Sequence, residues 1–193
     1  MNWFVFAIFT WLAIGLDEGL ADVFQPFGWA VTPSFAHVLL VFVCVWAPSR
    51  SAYAAALIIG AAQDFVAAVP AGVETSQDVV VLGPHALGAL LGASLIVNLR
   101  SVMIKKSLVS MFVLTFFGVT LLEIVVTASL SIRSIYPNGI SYPSPSRALL
   151  VGLGSAVYSS LLATVLSTPL NALSGLFHFR SPGPSFPSNS RRR

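Results

Sequence analysis

Six apolar runs, separated by short stretches of polar or helix-breaking residues, set the plan of this 193-residue chain. They are Met1–Leu16, Ser34–Ala47, Ser51–Pro70, Val79–Asn98, Ser107–Ile132 and Ala148–Leu170. Runs of this length and apolarity predict hydrocarbon-crossing helices. Met1–Leu16 would reach only ~24 Å of a ~30 Å bilayer core, so it should borrow residues beyond Asp17. Pro48-Ser49-Arg50 is a very tight turn, which makes the second and third runs a helical hairpin. Val23–Pro33 carries Phe24, Pro26, Phe27, Trp29 and Pro33, aromatic anchors and helix breakers suited to a membrane interface. Arg133–Arg147 contains Pro137-Asn138-Gly139 and Pro143 and reads as a polar loop. The expected organisation is one all-α domain of six transmembrane helices over residues 1–179. A Pro-, Ser- and Gly-rich basic tail, 180–193, should be disordered. No internal repeat is evident.

Composition sharpens this picture. Hydrophobic residues make up 56% and charged residues 9% of the chain, where soluble domains average about a quarter charged. Mean hydropathy is +0.86. No soluble segment is long enough to bury a core of its own. Asp17, Glu18 and Asp22 follow the first run where a small-residue cleavage site would stand in a signal peptide, so that run is expected to be retained. The lone Cys44 excludes an intrachain disulfide and reads as a small buried hydrophobe.

The net charge of +3 does not point to nucleic acid, because the basic residues are distributed as a topology signal. With six spans, Arg50, Arg100, Lys105, Lys106, Arg180 and Arg191 to Arg193 share the side of the termini, against only Arg133 and Arg147 opposite. Asp17, Glu18, Asp22, Glu74 and Asp78 all fall on that opposite side. Both termini are therefore expected in the cytoplasm; five spans would move the arginine tail outside. The tail arginines could also meet anionic lipid headgroups.

Two ionisable residues lie deep in the runs, Asp64 and Glu123. A carboxylate in a membrane costs ~2.5–3.5 kcal/mol on insertion scales and normally faces the bundle, is protonated or finds a partner. Three readings stand side by side: a proton or ion relay, a structural pair that fixes helix packing, and a docking point for another membrane protein. Gly60 lies four residues before Asp64, so a neighbouring helix can approach closely beside the carboxylate, and Gln63 could donate to it. His85 follows Pro84 at a predicted helix start, near the outer face. His85 and His37 both read as structural or interfacial histidines, since no second ligand stands at metal spacing. Gly88 and Gly92 form a G-x-x-x-G face for helix packing, within the chain or in a dimer. The sixth run offers a similar face through Gly152, Gly154, Ser155, Ser159 and Ser160.

Enzyme signatures are missing from the sequence: there is no H-E-x-x-H, no G-x-S-x-G and no Walker-type loop. No catalytic residue, metal or cofactor is expected.

Taken together, Gly60-x-x-x-Asp64, then Leu82-Gly83-Pro84-His85-Ala86-Leu87, the basic turn Asn98-Leu99-Arg100 with Lys105-Lys106, and Glu123 resemble the rod shape-determining membrane protein family MreD. The resemblance covers roughly Ala54–Ala128. It departs in a longer connection from Asp64 to Leu82-Gly83, around Val73–Val80, and in Glu rather than Asp at position 123. It implies a non-enzymatic subunit of the bacterial cell-elongation machinery in the inner membrane. Its partners would be MreC, together with MreB, RodA and the elongation-specific penicillin-binding protein. Gly60, Asp64, Leu82, Gly83 and Glu123 would then form the functional core, serving helix packing and partner docking. The family is similar in fold to the substrate-binding subunits of energy-coupling-factor vitamin transporters, which makes small-molecule uptake the alternative. A ligand pocket of that kind would open outward and draw on Trp29, Glu74, Asp78 and His85.

Overall fold

The computed structural model describes residues 1–24, 31–70, 78–103, 107–136 and 144–179. Six helices carry the fold: α1 (Trp3–Gly19), α2 (Phe35–Trp46), α3 (Ser49–Val66), α4 (Pro84–Leu99), α5 (Leu108–Arg133) and α6 (Pro145–Leu173). A 3₁₀ turn, Ser174–Phe177, extends α6. Two helical stretches, Leu108–Arg133 and Pro145–Phe177, are long and apolar enough to cross a membrane. The apolar helices α2 and α4 are shorter.

Local sequence explains most helix starts. Asn2 Oδ1 accepts from the Phe4 and Val5 amides at the head of α1, and Pro84 and Pro145 open α4 and α6. Proline suits a first turn because its missing N–H would be unpaired there anyway. The third and fourth apolar runs are not helical throughout, which corrects the expected boundaries. Ala68–Pro70 (β1) pairs antiparallel with Asp78–Val80 (β2), Val69 opposite Val79. Pro70 cannot continue a helix, and the β-branched Val79-Val80 pair suits an extended ribbon. Trp29, Glu74, Lys105, Lys106, Pro137-Asn138-Gly139, Pro143 and the tail 180–193 lie outside the described residues.

The hub is α2. Every residue from Ala36 to Val45 is buried, and the helix contacts α1, α3, α4, α5 and α6. A helix apolar on all sides is stable only when surrounded. Around it, α3, α4, α5 and α6 pack in sequence order, each most extensively on the next. The end-to-end contacts define two ends of the bundle. At one, Asp17 near the end of α1 and Asp64 near the end of α3 meet the starts of α2 and α4. At the other, Arg100 meets the end of α2, and the Asn2 amide donates to the Phe177 carbonyl at 2.9 Å. These are called the carboxylate end and the arginine end below. Many apolar side chains face outward, among them Phe4, Trp11, Val109, Leu150 and Val165. An apolar exterior of this extent marks a lipid- or protein-facing surface.

Candidate functional site

At the carboxylate end, α4 begins without a cap of its own. Its N-cap residue is Gly83, which has no side chain to offer. Asp64 of α3 supplies the cap from across the helix pair. Its Oδ2 accepts from the Gly83 amide at 2.8 Å and the Ala86 amide at 3.2 Å. Its Oδ1 accepts from the His85 amide at 2.8 Å and meets His85 Nδ1 at 2.9 Å. Four partners fill the roughly four lone-pair sites of a carboxylate. The negative charge also sits where the helix dipole is positive. With Asp64 only 1% exposed, these bonds offset a burial that would otherwise be costly.

Two glycines permit this geometry. A Cβ on Gly60 would lie 2.6 Å from both Ala86 Cα and the His85 carbonyl oxygen, so only a bare backbone lets α3 touch α4 here. Gly83 adopts φ +120°, a conformation closed to most L side chains. Gly88 and Gly92 continue the seam on the next face of α4: their Cβ positions fall 2.9 Å from the Leu122 carbonyl oxygen and 2.7 Å from that of Gly118. The G-x-x-x-G face is thus occupied within the chain, by α5. Leu82, grouped with these residues in the sequence, points away and is 59% exposed.

Asp64 is thus paired with His85, whose side chain is 21% exposed. Gln63 does not donate to Asp64; its Nε2 lies 3.2 Å from His37 Nε2. His37 is buried at 5% exposure rather than interfacial.

A second carboxylate cap went unrecognised in the sequence. Asp17, read there as a loop charge, closes the start of α2. Its Oδ1 accepts from the Phe35 amide, and its Oδ2 accepts from Ser34 Oγ at 2.8 Å and the Ala36 amide at 3.2 Å. Ser34 Oγ also accepts from the His37 amide at 3.2 Å, and the Ser34 amide donates to Ser159 Oγ of α6 at 2.9 Å. The same device thus occurs twice: an aspartate near the end of one helix caps the start of the next. The available signal was an aspartate following an apolar run, with Ser34 heading the next one.

Between these caps lies a cavity of about 250 Å³, lined by Asp17, Glu18, His37, Gln63, His85 and Glu123 among others. Glu123 comes from α5, and Gly152 of α6 leaves it room, since a Cβ there would lie 3.1 Å from Glu123 Oε2. The cavity gathers His85 from the set expected to line a pocket. Trp29 and Glu74 are outside the described residues, and Asp78 falls in β2. Among the described residues no group of three or more His, Cys, Asp or Glu is placed to hold a metal ion.

At the arginine end, Arg100, expected from the sequence to mark topology, binds the end of α2. Its guanidinium donates to the Cys44 carbonyl, to the Ala47 carbonyl at 2.6 Å and to Ser49 Oγ at 3.1 Å. It closes the C-terminus of α2, where a cation is favoured.

The architecture is a helical bundle with capped helix starts and, at one end, a cavity lined by both charged and apolar residues. In comparison with known proteins, the chain matches no family model, no curated protein and no solved structure.

Proposed function

We propose that this chain is a six-span membrane scaffold of the MreD type, a non-enzymatic subunit of the bacterial cell-elongation machinery. In this reading it lies in the inner membrane and docks MreC there. It supports peptidoglycan synthesis alongside MreB, RodA and the elongation-specific penicillin-binding protein. One observation carries the proposal: two of the motifs behind the resemblance, Gly60-x-x-x-Asp64 and Gly83-Pro84-His85-Ala86, form a single junction. Asp64 caps α4 at Gly83, His85 and Ala86, and Gly60 seats α3 on Ala86. A junction that holds two helices rigidly, with its carboxylate fully hydrogen-bonded, suits a packing and docking role rather than a proton relay.

Orientation follows from charge. The carboxylate end faces outward and the arginine end faces the cytoplasm, in keeping with the positive-inside rule. The Asn2 amide donates to the Phe177 carbonyl, so both ends of the described chain lie at the arginine end, which in this reading is the cytoplasmic one.

The cavity favours a second reading, the small-molecule, vitamin-type substrate-binding subunit of a membrane transporter. Co-purification of the tagged chain from native membranes in mild detergent, read by mass spectrometry, separates the two. Recovery of MreC, and its loss on Asp64→Ala, is the expected result. Recovery of an ATPase-bearing transporter module instead would overturn the scaffold.

A further inference from the structure

We propose that the cavity at the carboxylate end is a binding site for a small organic cation, an ammonium-bearing molecule held by Glu123. The lining contains three carboxylates, Asp17, Glu18 and Glu123, and neither lysine nor arginine. They are not equivalent. Asp17 is committed to the start of α2 through three hydrogen bonds. Glu123 makes no hydrogen bond or ion pair with any described residue, although it stands in the apolar helix α5 with α6 closed against it at Gly152. Such a carboxylate has no counter-charge among the described residues, and a cation from outside would supply one where protonation would otherwise neutralise it.

The rest of the lining selects the kind of cation. Ser155, the unpaired Gln63 Oε1 and the His85 ring nitrogen turned away from Asp64 offer acceptors around an ammonium, while Ile14 and Val66 give an apolar wall. That mixture suits an organic molecule better than a bare metal ion, which would need clustered ligands. The volume of about 250 Å³ falls just below the ~300–1,000 Å³ of pockets for drug-sized ligands, so the ligand is small. This inference rests on the cavity alone and holds whether the chain is a scaffold or an uptake subunit. Loss of MreC co-purification and loss of cation binding are therefore separate results.

The test is thermal unfolding of the full chain in dodecyl maltoside with a matched trio: benzylammonium, benzyl alcohol and benzoate. Benzylammonium at saturating concentration should raise the midpoint by at least ~3 °C, as expected for a ligand bound only by the folded state, and its two isosteres should not. Glu123→Gln, which removes charge at constant shape, should weaken the ammonium response about tenfold or more, and Glu123→Asp should retain it within a few fold. Equal stabilisation by benzyl alcohol would reduce the site to an apolar pocket. An unchanged response in Glu123→Gln would remove Glu123 from it, and no response to the ammonium would end the proposal. Should Glu123→Gln not fold, Ser155→Val on the facing helix α6 serves as the second variant. A several-fold loss is expected there, and an undiminished response counts against the site.

Discussion

Replacing Asp64 with Asn keeps the shape of the side chain and removes what α4 needs from it. The carboxylate accepts from four donors: the amides of Gly83, His85 and Ala86, and the His85 ring. An asparagine in the same place presents one oxygen, able to serve two of them, and turns its own NH₂ towards the others. Each charge-assisted bond to a buried amide contributes about 1.5–3 kcal/mol, and a buried amide left unpaired costs a comparable amount. The ring contact adds less, because His85 is partly solvated at 21% exposure. With the oxygen kept at the Gly83 and Ala86 amides, the His85 amide and the ring contact are lost, which destabilises the fold by about 1.5–3 kcal/mol. For a chain of this size each kcal/mol lowers the unfolding midpoint by about 2–4 °C, so a fall of ~3–12 °C is expected. Far-UV circular dichroism of the purified chain on heating in detergent would measure it. His85→Ala, which removes only the ring contact, should cost no more than ~1 kcal/mol. A fall below ~2 °C for Asp64→Asn would refute the reasoning, since the α4 amides would then have another acceptor.

Three further outcomes follow from the same contacts. Gly60→Ala forces a Cβ within 2.6 Å of α4 backbone and should cost about 1–3 kcal/mol, visible as a lower midpoint; an unchanged midpoint would mean the helix pair can separate freely. Arg100→Met keeps the bulk of the side chain but leaves the Cys44 and Ala47 carbonyls without their donor. A loss of about 2–3 kcal/mol in denaturant titration is expected, and less than ~0.5 kcal/mol would return Arg100 to a topology role alone. Cys44 is fully buried, so a maleimide should label it only after unfolding; rapid labelling of the folded chain would contradict the central position of α2.

Much of the architecture was legible in the sequence because it depends on local pattern. Long apolar runs define helices wherever they fall, and each of the six contains one. Pro84 announced a helix start through a rule that reaches only a few residues. Gly60 and Asp64, four apart, could be read as one face of one helix. The ribbon Ala68–Pro70 with Asp78–Val80 was missed because a short apolar run does not by itself distinguish strand from helix.

What the tertiary structure alone decided is which groups meet across helices. Asp64 lies nineteen residues or more from the amides it caps, and Asp17 a similar distance from its own. Arg100 reaches carbonyls more than fifty positions away. No periodicity reports such pairs, so Asp17 and Arg100 passed as loop charge and topology signal. Composition determined that the chain is strongly apolar, because burial preference is a property of each residue. The caps, the hub helix α2 and the cavity depend on helices distant in sequence packing side by side. Such contacts arise only when packed backbones bring unpaired amides, carbonyls and charges within hydrogen-bonding distance of one another.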